Sequence, residues 1–93
     1  MLVTFDQLKR DVTLQERGLD FTDATTVFAG ITLTREDARF AYGETRYQTY
    51  GLLDGRMVMV VWTTRGEDRH VMSMRYCNDR ERDKFAEQLG RSG

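Results

Sequence analysis

Proline is absent from the 93 residues, and cysteine and histidine occur once each, as Cys77 and His70. A lone cysteine excludes an internal disulfide. One cysteine and one histidine argue against a structural zinc site, which takes four such ligands. A Ser-His-Asp triad is excluded unless it is built on His70. No apolar run approaches the ~20 residues of a membrane helix. The opening MLVTFDQLKR has neither the basic start nor the apolar stretch of a signal peptide, so a cytoplasmic protein is expected. The net charge is −1. Any surface for anions must therefore be a local cluster of cations, offset by acids elsewhere.

Charged residues make up 31% and apolar ones 40%, the balance of a folded globule and not of a disordered chain. There is no low-complexity run, repeat or linker. The expectation is one domain over residues 1–89, with GRSG at 90–93 as a flexible tail.

A first helix is announced by Thr4-Phe5-Asp6-Gln7, in which either Thr4 or Asp6 is a candidate cap. Leu8 and Val12 follow four apart, and Gly18 suits a left-handed stop. Asp20 reads as the cap of a second helix, with Phe21, Ala24, Val27 and Phe28 on one stripe and Gly30 at its end. ITLT is short and β-branched. DARFAYGE reads as a loop holding the aromatic pair Phe40 and Tyr42. TRYQTYGLL has strand composition, Asp54-Gly55 is a two-residue hairpin signal, and MVMVVWTT is the continuous apolar run of a central strand. RHVMSMRYC is the last strand. Asn78 and Glu81 then have capping-box spacing before a closing helix with Phe85 and Leu89 on one side. The pattern predicts an α+β domain: two N-terminal helices, an antiparallel sheet of about four strands and a C-terminal helix.

Strict alternation along the last strand puts His70, Met72, Met74 and Tyr76 on one face, and Arg69, Val71, Ser73 and Arg75 on the other. On that reading Arg75 stands on a rigid sheet, outside the methionine face. Glu44 and Arg46, two apart, project together if they begin a strand. Arg65 closes the central strand, and Lys9 and Arg17 add two cations on the first helix. Guanidinium forks match phosphate oxygens two at a time, and a carboxylate among them takes a proton or holds an arginine in place. Each feature also has an ordinary reading. Glu44 and Arg46 decorate many strands, Arg75 is within reach of Asp79 or Glu81, and RERDK is commonly a solvated helix face. Trp62 belongs to the core, His70 to packing or a strand-edge contact, and Cys77 is a small hydrophobe.

The ordered set of short motifs resembles the BrnT family, the ribonuclease toxins of type II toxin–antitoxin modules. The resemblance runs from about Phe5 to Leu89. Its opening part is Asp6, Lys9, Gly18, Phe21, Val27 and Phe28. An Asp-x-Arg loop and Gly-Glu-x-Arg follow, as Asp37, Arg39, Gly43, Glu44 and Arg46. The closing part is Arg65, Gly66, Arg69, Ser73, Arg75, Glu81 and Arg82. The resemblance implies a RelE-like fold and a ribonuclease that cuts RNA to inhibit translation, without metal or cofactor. It implies that the sheet face bearing Arg75, Arg46 and Glu44 holds the scissile phosphate; on our own reading Arg75 and Arg46 brace the phosphoryl oxygens, Glu44 is the base or the orienter, and Lys9, Arg17, Arg65 and Ser73 bind substrate. It also implies a BrnA-like antitoxin as partner, and operator DNA bound mainly through that antitoxin. Where the family often carries Lys-His before the glycine, this chain has Glu16-Arg17. Arginine supplies charge there but no proton at neutral pH. The alternative is a non-catalytic α+β interaction domain that binds antitoxin or nucleic acid without cleaving it.

Overall fold

Alternating apolar strands with caps at their flanks demand a sheet covered by helices. A computed structural model describes residues 2–39, 41 and 43–92, the last four by backbone alone. Five strands form one sheet in the order β1-β5-β4-β3-β2. They are β1 (Val3–Phe5), β2 (Leu33–Glu36), β3 (Tyr47–Leu53), β4 (Arg56–Arg65) and β5 (Asp68–Tyr76). Helices α1 (Gln7–Arg17), α2 (Ala24–Ala29) and α3 (Asp79–Ser92) complete the chain. The aromatic pair Phe40 and Tyr42 and the side chain of Leu89 lie outside the described residues.

The α+β class is as expected, but the strand count and direction differ. The fifth strand, β1, has three residues and runs parallel to β5, with Val3 opposite Arg69 and Phe5 opposite Val71. The sheet is therefore mixed. Three residues are too few for a periodic signal, and only the partner strand defines them. The start of α1 is decided by the same event. Thr4 is drawn into β1, and Asp6 becomes the cap, accepting the Lys9 N–H at 3.0 Å. Gly18 closes α1 at φ 71°, donating its N–H to the Leu14 carbonyl.

The second helix is shorter than its stripe suggests. Asp20 accepts the Thr22 N–H and caps a 3-10 turn, Phe21–Asp23, before α2 begins. The Asp20 carboxylate also takes two bonds from Arg10, at 3.0 and 2.7 Å. This paired guanidinium holds the Asp20 carboxyl well below the usual range. At the β3–β4 hairpin Asp54 and Gly55 both adopt positive φ, 50° and 78°, the backbone that a two-residue turn requires.

Two apolar clusters lie on opposite faces of the sheet. One joins Leu19, Phe21, Ala24 and Val27 from the N-terminal elements to Val58, Val60, Trp62, Val71 and Met74. Packing is close at Gly51, where a Cβ would stand 2.8 Å from Val27 Cγ1. Trp62 stacks on Tyr47 with centroids 4.7 Å apart and donates its indole N–H to Thr49 Oγ1 at 2.8 Å. The other cluster joins Met57, Met59 and Val61 to Cys77 and to Phe85 of α3.

Strict alternation fails in β5. Val61 pairs with Ser73 but Trp62 pairs with Val71, so Met72 is an extra residue, a β-bulge. The bulge reverses the parity of everything before it. Val71 joins Met74 in the N-terminal cluster, while Met72 packs against the α3 cluster. Arg75, opposite Met59, does stand on the face away from Met74, but α3 covers that part of the sheet.

Candidate functional site

The α3 face of the sheet carries two groups of charged side chains. The first lies where β3 begins and β4 ends. Arg65 Nη1 donates to Glu44 Oε2 at 2.9 Å, and Arg46 Nε lies 3.6 Å from the other carboxylate oxygen. Thr63 anchors this segment by donating its hydroxyl to the Thr45 carbonyl at 2.6 Å. The hydrogen bond from Arg65 is the main cause holding the Glu44 carboxyl below its ordinary value, and the nearby Arg46 charge acts in the same direction. Glu44 is therefore anionic at neutral pH and a weak base, suited to orienting two guanidinium groups.

The second group surrounds Arg75. Its Nη1 and Nη2 donate to the two oxygens of Glu81 at 2.8 and 2.7 Å. Asn78 and Glu81 complete the expected reciprocal cap, Asn78 N–H to Glu81 Oε1 at 3.0 Å and Glu81 N–H to Asn78 Oδ1 at 2.9 Å. Glu81 thus closes the helix and fixes the arginine at once. The Arg75 bonds are the chief reason that its carboxyl falls to about 2.

Of the residues singled out in the sequence, Glu44, Arg46 and Arg65 meet. Arg75 pairs with Glu81 instead of Glu44. It faces Met59, whereas Tyr47, next to Arg46, faces Trp62, three positions further along β4. The offset is roughly 10 Å along the strand, and β5 and β3 flank β4 on opposite sides, roughly another 10 Å across the sheet. Ser73, opposite Val61, lies between the groups on the same face. Lys9 and Arg17 belong to α1, which packs against β5 and the 3-10 turn. Arg17 donates to the Met74 carbonyl at 2.9 Å, tying α1 to β5. His70 shares a 2.9 Å hydrogen bond with Thr4 and joins β1 to β5. Cys77 is buried, and burial pushes its thiol up to about 11.

Other residues enter, among them Thr34, Arg35 and Tyr50, that sequence reasoning did not select. Leu33, Thr34, Arg35 and Tyr50 of β2 and β3 face Arg80, Glu81, Lys84, Phe85 and Gln88 of α3 across a groove of about 560 Å³. Arg35 reaches it through cross-strand pairing with Gln48, which no sequence spacing specifies. Arg80 and Lys84 did leave a trace, since their i,i+4 spacing puts them on one side of α3. Among the described residues no group of three or more His, Cys, Asp or Glu side chains gathers as metal ligands.

Residues 5–81 match the profile of the ribonuclease toxin BrnT of type II toxin–antitoxin systems. The chain belongs to the BrnT family. Comparison with curated proteins gives no match. Membership makes this chain a toxin with ribonuclease activity and implies an antitoxin as its partner. The BrnT match takes in both charged groups, ending on Glu81 itself. It also takes in the Asp-x-Arg loop, where Arg39 makes two bonds to the buried Asp37 carboxylate, at 2.7 and 2.8 Å. No helix among the described residues is long and apolar enough to cross a membrane.

Proposed function

We propose that this BrnT-family chain cleaves RNA without a metal ion, on the α3 face of its sheet, and thereby arrests translation in the cytoplasm. The observation that carries the reading is Glu44 held by Arg65, with Arg46 beside it, on a face that also displays Arg75. An RNA strand brings its own nucleophile, the 2′-OH. Attack on the adjacent phosphorus forms the O2′–P bond and breaks the P–O5′ bond. The 2′-OH proton leaves to water and the departing 5′-oxygen takes one up, giving a 2′,3′-cyclic phosphate and a 5′-OH. The transition state concentrates negative charge on the phosphoryl oxygens. Fixed guanidinium groups stabilise that charge without reorganising.

In this scheme Arg46 and Arg65 brace the scissile phosphate and Glu44 keeps them aimed. Arg75 is paired with Glu81 and adds no net charge of its own beside this group, and Ser73 offers a hydroxyl between the two. Lys9 and Arg17 have no part in this step. A BrnA-like antitoxin covers the same basic face, and operator DNA is contacted mainly through the antitoxin. The RelE-like description suits a sheet with helices on both faces. A purely interaction-based role would draw on Arg17 standing at the usual histidine position. Arg17 is instead a tie to β5, away from Glu44, so its identity does not weigh against cleavage. Cleavage of single-stranded RNA in the presence of chelator tests the proposal. The Arg65→Ala and Arg46→Ala variants should be at least tenfold slower, and activity undiminished in both would remove this group from the site.

A further inference from the structure

The geometry points to the groove between β2–β3 and α3 as a subsite of that same RNA site, taking one unstacked base and its neighbouring phosphate. This rests on the RNA-cleavage reading and adds where the strand is gripped. The groove's volume, about 560 Å³, is of the size that holds a small organic group. Its floor is apolar, from Leu33 and Phe85. One wall is a guanidinium plane that cannot swing freely. Arg35 donates through Nε to Gln48 Oε1 at 2.8 Å and through Nη2 to the Tyr50 hydroxyl at 3.1 Å, with its central carbon 5.5 Å from the Tyr50 ring centroid. Fixed guanidinium and aromatic planes are the surfaces on which single-stranded bases stack.

The opposite wall supplies charge. Arg80 and Lys84 line the groove one turn apart on α3, and neither is paired with a carboxylate among the described residues. Glu81 is the acidic group in the lining, and Arg75 occupies both of its oxygens. The groove therefore carries a surplus from Arg35, Arg80 and Lys84, in a chain whose net charge is −1. An acidic peptide would satisfy those cations but leave the Arg35–Tyr50 stacking wall without purpose. Single-stranded RNA uses both.

The probe is a fluorescent hexamer of 2′-O-methyl RNA, which binds but has no free 2′-OH to attack. Anisotropy would follow binding to the parent, to Arg80→Ala/Lys84→Ala and to Arg35→Ala. Each variant should weaken binding about tenfold, and the double variant should lower the slope of log affinity against log salt by roughly one to two. An abasic scan of the hexamer should reveal one position whose base matters, and Tyr50→Ala should abolish that position's effect. The exposed positions 80 and 84 leave the core untouched, so those variants report on binding and not on folding. Unchanged affinity in the double variant, a flat abasic scan, or equal competition by hexaglutamate would overturn the subsite. If the parent still cleaves unmodified RNA in that case, the proposed function stands. A parent that neither binds nor cleaves RNA overturns both.

Discussion

Replacing Glu81 by alanine removes three interactions at once. Two charge-assisted bonds to Arg75 are lost, at 2.8 and 2.7 Å, and so is the acceptor for the Asn78 N–H at 3.0 Å. Hydrogen bonds to charged groups contribute about 1.5–3 kcal/mol each in isolation, but these share one carboxylate and do not add. The side chains of Arg75 and Glu81 retain 36% and 20% exposure, so solvent screens part of the pair. The net loss should be about 2 kcal/mol, which lowers the melting temperature of a domain this size by roughly 8–16 °C. Thermal unfolding followed by circular dichroism measures it. Acidity supplies the control. Glu81 has a folded pKa near 2, below its ordinary value of 4.5. Its stabilisation is therefore fully present above about pH 4.5 and is lost as pH falls through about 2. The gap between parent and variant should be widest at neutral pH and should close in strong acid. A change below about 2 °C at pH 7, or a gap that persists unchanged in acid, would refute the assignment of Glu81 as brace and cap.

Three more outcomes follow from the packing and the charges. Gly51→Ala sets a Cβ 2.8 Å from Val27 Cγ1 and 3.1 Å from Thr32 Cγ2. Denaturant titration should show a loss of about 1–3 kcal/mol. Cys77 should resist alkylation at pH 8 in the folded chain and react fully in denaturant, because its thiol is buried and pushed up to about 11. Arg65→Ala removes the main cause of the depressed Glu44 pKa, so a carbon-detected NMR titration should find that carboxyl moved back up toward the ordinary range.

Much of this fold was legible because its signals are local. Gly18, the Asp54-Gly55 turn and the Asn78–Glu81 cap each act within a few residues and each does what its spacing specifies, while Asp20 caps as expected but opens a 3-10 turn ahead of the helix. The misses share a different origin. β1 exists only through its pairing with β5, and the bulge at Met72 is visible only as a register shift against β4. Both depend on partners about 10 residues or more away, and alternation alone does not encode them. The site divides the same way. Glu44 and Arg46 are two residues apart and could be linked by face. Arg75 fell within reach of Glu81 by spacing, but which carboxylate it takes is a tertiary choice. Arg35 and Lys84 come to line one groove only through the tertiary fold, so beyond the Arg80–Lys84 spacing the groove is not legible in the sequence.

The most direct measurement is cleavage of an end-labelled, unstructured RNA by the purified chain in chelator, with the product ends identified by mass. The account predicts 2′,3′-cyclic phosphate and 5′-OH ends for the parent, and at least tenfold slower cutting by the folded Arg46→Ala and Arg65→Ala variants. A folded parent that leaves the RNA intact, or variants that cut as fast as the parent, would contradict it.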